Sequence, residues 1–129
     1  MYLVTVQENH AVVEASLGGR IDSLEMRAFA EDLEEVLDSL GTNHFYLLID
    51  HSRAKSLDSD ASMILSQLKD RAFEAGAEKI VTLACDEDDI ARHMTARLQE
   101  VLEGREQFCL EMPNLTFPVW QQSAILRAA

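Results

Sequence analysis

A short apolar run, residues 44–49, is followed by a series of carboxylate and hydroxyl side chains. These are Asp50, Ser52, Asp58, Ser59, Asp60 and Ser62. Asp58, Ser59 and Asp60 stand directly before an apolar-striped segment, and Asp and Ser are preferred helix N-cap residues because their oxygens accept hydrogen bonds from the free N–H groups of the first turn. Helix initiation alone therefore explains this trio, and a role in binding another molecule is the alternative that the residue types leave open.

A second group of carboxylates is the run of four acidic residues at 86–89, which precedes another helical pattern. Negative side chains at a helix start are stabilised by the positive end of the helix dipole. The sharper alternative is a metal site, but the Asp-x-Asp-x-Asp-Gly loop of calcium sites is absent. We therefore predict that the run caps a helix and that the chain binds no metal.

Histidine and cysteine side chains are few and widely spaced. They are His10, His44, His51, His93, Cys85 and Cys109. No zinc-ligand spacing or Cys-x-x-Cys motif relates them, so we predict neither a zinc site nor a disulfide framework. We expect His51 in a loop, His93 on a helix surface, the other two histidines at strand starts, and both cysteines reduced and buried.

The sequence motifs of the common enzyme sites are missing. No Gly-rich phosphate-binding loop and no Gly-x-Ser-x-Gly elbow occurs, and Gly18–Gly19 is better explained as a turn. A catalytic carboxylate pair cannot be singled out among 23 acidic residues. We expect no enzyme and no cofactor, and keep an enzyme with an unrecognised site as the third function class.

The charge balance narrows the range of partners. Eleven Lys and Arg against 23 Asp and Glu give a net charge of −12, which repels the phosphates of nucleic acids and anionic membranes. A basic protein surface is a better partner, although acidity that merely maintains solubility is the alternative. There is no run of about 20 apolar residues and no leader pattern, so we expect a cytoplasmic protein without membrane insertion.

The elements that must position these side chains follow from apolar spacing. The predicted strands are 2–7 and 10–17, forming a hairpin, then 44–49, 79–84 and 107–111. The predicted helices run from Ser23 to Gly41, from Ala61 to Gly76, from Ile90 to Gly104, and onward from Pro118. This order predicts one α/β domain over 1–129, with a mixed, mostly parallel sheet, an N-terminal hairpin and about four helices.

The segment between residues 47 and 84 resembles the STAS domain of bacterial anti-anti-sigma factors and sulfate transporters. In that family a strand of the form "vvlDlS" is followed eight positions later by "DSS" or "DSxG" and a Leu-rich helix. Here Asp50 and Asp58 are eight apart, Ser52 matches the first serine, and Ser59 falls on the regulatory serine. LGGRID, at 17–22, resembles the "l.G.ld" before the first helix, so the resemblance covers most of the chain.

The resemblance implies a regulatory domain that binds a serine kinase of anti-sigma type and switches partners through phosphorylation at Ser59. The implied partner-binding surface comprises Asp50, Ser52, Asp58, Ser59, Asp60 and Ser62. Asp60 replaces the family's second serine, Ala61 stands near its glycine, and Ser62 restores a hydroxyl one position late. Capping alone and capping with phosphorylation both remain open for Ser59.

A sister group, the SpoIIAA-like proteins that also resemble lipid-carrying SEC14-type domains, shares the "G.id" start, the "LLiD" strand and a tryptophan near the C-terminus. Trp120 matches that tryptophan. This likeness implies an apolar ligand or lipid in a pocket lined by Phe29, Leu33, Met63 and Trp120. Regulatory protein binding is our first hypothesis and apolar-ligand binding the alternative; the oligomeric state, a homodimer included, stays open.

Overall fold

The strands pair in the order in which they occur along the chain. The computed structural model describes residues 1–7, 12–40 and 44–111. Its strands are β1 (Tyr2–Gln7), β2 (Val12–Gly19), β3 (Phe45–Ala54), β4 (Ala77–Leu83) and β5 (Glu106–Cys109), and its helices are α1 (Ser23–Ser39), α2 (Ser59–Ala75), α3 (Glu87–Ala96) and α4 (Leu98–Leu102). The sheet order is β1-β2-β3-β4-β5, with β1 antiparallel to β2 and every later pair parallel. The predicted hairpin and mixed, mostly parallel sheet are confirmed.

One face of the sheet carries the main core. Val13 is paired with Leu47, and Leu47 with Ile80, so these three completely buried side chains lie in a row on the same face. The helix residues that complete this core are Met26, Phe29, Ala30, Leu33 and Leu37 of α1 and Ala61, Leu65, Leu68 and Ala72 of α2. A smaller apolar cluster of Val12, Leu48 and Val81 occupies the opposite face.

Three of the described helices, α1, α2 and α3, begin with an aspartate N-cap. The carboxylates of Asp22, Asp58 and Asp86 each accept a hydrogen bond from the backbone N–H three residues on, at 2.8, 2.8 and 2.7 Å. The aspartate oxygen thereby satisfies a donor that the first helical turn leaves free. Within the trio at 58–60 and the acidic run at 86–89, Asp58 and Asp86 alone supply the predicted cap, and Ser59 is not a cap but the first residue of α2. Gly76, with φ of 123°, ends α2 as expected.

Several element boundaries differ from the prediction, and Gly18–Gly19, expected to form a turn, are the last residues of β2. Two differences are large. β3 was expected to stop before Asp50 but continues to Ala54, because β2 stays paired with it as far as Gly19 opposite Ala54. The third predicted helix is broken at Arg97, whose φ of −121° and ψ of 22° lie outside the helical region. The results are a longer central strand and two short helices, α3 and α4.

The prediction that both cysteines are buried is wrong, because Cys85 is exposed and Cys109 is half-buried. Cys85 lies in the turn after β4, and Cys109 lies at the end of β5 on the face of the smaller apolar cluster. Gly41 as a helix end and the helix from Pro118 lie outside the described residues.

Candidate functional site

The end of β3 carries the first pair of predicted site residues. Asp50 and Ser52 are two positions apart in β3, so their side chains lie on the same side of the strand. The Asp50 carboxylate accepts hydrogen bonds from the Ser52 backbone N–H at 3.0 Å and from the Ser52 hydroxyl at 2.5 Å. The two half-buried side chains thus form one local polar unit.

The second group occupies the first turn of α2. Asp58 is the N-cap, and Ser59 and Asp60 are the first two helical residues, with all three side chains exposed. Asp58 supplies the cap by accepting from the Ala61 N–H. Ser59 therefore does not cap α2, and its hydroxyl faces solvent at a helix N-terminus, where a phosphate would meet free N–H groups.

The structure brings only some of the predicted surface residues together. Within the described ranges no hydrogen bond or ion pair joins the Asp50–Ser52 unit to the first turn of α2. Ser62 is half-buried and lines a cavity between α2 and α3. The exposed part of the predicted surface is therefore the trio at residues 58–60.

The apolar side chains proposed for a ligand pocket do not meet around a shared space in the described structure. Phe29 and Leu33 are fully buried within the main core. Met63 is 58% exposed and lines an open groove between α1 and α2 whose other walls include Arg27, Glu31, Glu34, Asp60, Gln67 and Arg71. Trp120 lies outside the described residues.

A buried polar cluster that the sequence did not reveal lies between β3 and α3. His51 follows Ile49 by two positions on β3 and so faces the helices, where it is completely buried. Asp89 and His93 lie one turn apart on α3, with side chains 1% and 13% exposed. The expectation that His51 lies in a loop and His93 on a helix surface is thus wrong. β3 extends past Asp50 and includes His51, and α3 packs with the face that carries Asp89 and His93 toward the sheet.

Asp89 joins the two histidines. Its Oδ2 lies 3.1 Å from His51 Nδ1, and its Oδ1 lies 3.2 Å from His93 Nε2. The two rings meet edge to face, with centroids 5.2 Å apart. One ring nitrogen of each histidine and one oxygen of Asp89, the atoms that could bind a metal ion, all lie within 4.8 Å of one another. His51 Nε2 is buried and has no hydrogen-bond partner among the residues that the structure describes.

Burial sets the protonation of this cluster. It lowers the pKa of His93 to about 4 and also lowers the pKa of His51, despite the attraction of Asp89 for a protonated ring. Burial acts to raise the pKa of the Asp89 carboxyl, but the two histidines and the Cys85 N–H outweigh it and leave that pKa below its usual value. At neutral pH the cluster therefore holds two neutral imidazoles and one carboxylate.

A second buried network lies beside the cluster. Glu106 on β5 accepts a hydrogen bond from Lys69 Nζ and another from Arg97 Nε, each at 2.9 Å, and all three side chains are almost completely buried. Arg97 also donates to Asp70 at 2.6 Å and to Ser66. The buried side chain of Arg97 thus belongs to the residue at which α3 ends and α4 begins.

A cavity of about 80 Å³ connects the two networks. It lies between α2 and α3, and its polar lining comprises Ser62, Ser66, Lys69, Asp89, Arg92, His93 and Arg97. A space of this size has room for several water molecules. It is too small for a lipid chain, and it gives Asp89 and His93 contact with small solutes.

Comparison with known proteins gives one informative result. No protein-family model matches the sequence, and no curated protein matches it. Among solved structures, the anti-sigma factor antagonist SpoIIAA in its unphosphorylated form matches with a TM-score of 0.57 and 14% sequence identity, over 99% of this chain and 97% of that one. A likeness at this identity establishes the fold.

The chain therefore has the STAS/SpoIIAA-like α/β fold, as its Asp50 to Ser59 segment led us to expect. In the described ranges, no helix combines the length and apolar character needed to cross a bilayer. One solved protein that shares this fold, SpoIIAA, is an anti-sigma factor antagonist.

Proposed function

We propose that this chain is a cytoplasmic regulatory domain, single over residues 1–129, that binds a serine kinase of anti-sigma type and releases it when Ser59 is phosphorylated. The observation that carries the proposal is the exposed hydroxyl of Ser59 at the start of α2, in a chain that matches an anti-sigma factor antagonist over nearly its whole length. No reaction is assigned to the domain itself.

The local chemistry supports a switch that acts on the partner rather than on the fold. Asp58 already caps α2, and a phosphate on Ser59 would lie in the favourable field of the helix N-terminus. Phosphorylation should therefore leave the domain folded. The added charge would instead have to be desolvated when a partner docks, beside the existing carboxylates of Asp58 and Asp60.

The chain offers a matched control for this serine. Ser23 is the first residue of α1 behind the N-cap Asp22, just as Ser59 is the first residue of α2 behind Asp58. Binding of a purified anti-sigma-type kinase to wild type, Ser59→Asp and Ser23→Asp should be measured by calorimetry. We expect Ser59→Asp to weaken binding at least tenfold and Ser23→Asp to leave it nearly unchanged.

Phosphate transfer provides the second arm. With the same kinase and ATP, intact-mass spectrometry should show one added phosphate on wild type and on Ser23→Ala, and none on Ser59→Ala. Equal incorporation into Ser59→Ala, or unchanged kinase binding by Ser59→Asp, would refute the switch and leave Ser59 as an ordinary exposed helix residue.

A further inference from the structure

The buried side chains His51, Asp89 and His93 contain the ligand atoms of a small metal site. Two imidazole nitrogens and a carboxylate are a ligand set that zinc commonly takes, with metal–ligand bonds of about 2.0–2.2 Å. We propose that these three residues bind one Zn²⁺ ion and leave a further coordination position open toward the cavity between α2 and α3. This inference does not rest on the proposed regulatory function.

The distances between the three side chains are close to those of ligands around a bound zinc ion. Tetrahedral ligands at zinc bond lengths are about 3.3 Å apart. His51 Nδ1 lies 3.1 Å from Asp89 Oδ2, and His93 Nε2 lies 3.2 Å from Asp89 Oδ1. The remaining separations are at most 4.8 Å. His93 borders the cavity and is the least buried of the three, so a modest ring shift would bring its nitrogen to the ion.

Hydrogen bonds do not satisfy every polar atom of the cluster. The buried Nε2 of His51 has no hydrogen-bond partner among the described residues. His51 Nδ1 and His93 Nε2, by contrast, face the two oxygens of Asp89.

Neighbouring positive groups do not block the ion. Lys69 lies in the same region, but its ammonium is held at 2.9 Å by Glu106, and that contact neutralises it. Arg92 Nη2 approaches Asp89 Oδ1 at 3.4 Å, yet its side chain is 57% exposed and can turn toward solvent. The Asp89 carboxylate is therefore available without breaking a buried ion pair.

The cavity makes the site accessible. Asp89 and His93 form part of its wall, so an ion can enter from this side and a water molecule can occupy a remaining ligand position. An open position of this kind distinguishes a site that takes up an exchangeable ligand from a closed structural site, which uses four protein ligands.

The test is a titration of the full chain, freed of metal by a chelator and exchanged into buffer, with Zn²⁺ by calorimetry and with Co²⁺ by visible absorption. We expect one ion per chain, with a dissociation constant in the micromolar range or below, and a rise in melting temperature with zinc, since a ligand that binds the folded state stabilises it. His93→Gln should weaken binding at least tenfold.

His44→Gln is the matched control, because His44 also lies beside a carboxylate, Glu78 at 3.5 Å, but in an exposed position. It should bind zinc like wild type. No binding by wild type, equal binding by His93→Gln, or loss of binding in His44→Gln would each overturn the proposal. If His93→Gln does not fold, X-ray absorption of the zinc-loaded wild type decides: two imidazole ligands support the site, and one or none refutes it.

Discussion

Glu106 is shared by two buried cations. One of its carboxylate oxygens accepts from Lys69 and the other from Arg97, while Arg97 has a second anionic partner in the more exposed Asp70. Two positive groups inside a protein would be costly without this carboxylate, because burial removes their hydration. The three residues therefore contribute unequally to stability.

Replacing Glu106 should be more damaging than replacing Lys69. Glu106→Gln leaves two cations buried without a full counter-charge, and we expect a loss of about 3 kcal/mol or more in the free energy of unfolding. Lys69→Met keeps the Arg97–Glu106 contact and fills similar volume, so its loss should be clearly smaller. Urea denaturation monitored by circular dichroism measures both values.

The exposed pair of Arg105 and Glu103, at 3.5 Å, is the control for this comparison. Glu103→Gln should change stability by less than about 0.5 kcal/mol, because exposed ion pairs contribute little. If Lys69→Met proves as destabilising as Glu106→Gln, the carboxylate is not the shared centre of the network.

The sequence predicted the exposed residues of the site better than the buried ones. Asp58, Ser59 and Asp60 were placed at the start of α2 because caps depend on neighbouring residues alone. The contact of His51 with Asp89 and His93 was not predicted, because it joins a strand to a helix 38 positions away and local spacing does not reveal such contacts. The polar character of His51 also argued against burial.

At the scale of helices and strands, Gly76 shows how a single residue ends α2 directly before β4 begins. Its φ of 123° lies in the region that side chains with a Cβ atom rarely adopt. Its N–H also donates to the carbonyls of Ala72 and Phe73, closing the last turn. The connection into β4 therefore requires glycine at this position.

Gly76→Ala should lower the free energy of unfolding by about 1–2 kcal/mol, the cost of the left-handed region for an L-residue. Gly18→Ala is a suitable control, since Gly18 has no positive φ and an added Cβ would lie 4.0 Å from its nearest neighbour, in ordinary contact. Chemical denaturation of both variants should show a loss only for Gly76→Ala. An equal response of the two would argue against the conformational explanation.

The order of elements followed from the sequence, whereas several boundaries did not, and two of them differ strongly. Strand and helix periodicities alternate clearly, so the mixed sheet was predictable. β3 continues through polar residues because β2 pairs with it and α3 covers His51, and both causes are long-range. The helix break at Arg97 likewise accompanies buried contacts with Glu106, on a strand that comes later in the chain.

At the scale of the whole molecule, the net charge of −12 opposes compaction, since like charges are brought closer on folding. Raising sodium chloride from about 50 mM to about 500 mM should screen this repulsion and raise the melting temperature. Differential scanning calorimetry at fixed pH measures the change. A lower melting temperature at high salt would mean that attractive ion pairs outweigh the net repulsion.

The position of Glu106 on β5 has a consequence for how the chain is made. Lys69 and Arg97 are synthesised before their common counter-charge, because β5, which pairs with β4, follows α4 in the chain. A nascent chain that has not yet emerged past residue 106 would have to bury two cations without that anion, or leave α2 and α4 undocked. On the ribosome, the last step of closing this interior should therefore wait for β5, and chaperones would meet the open form until then.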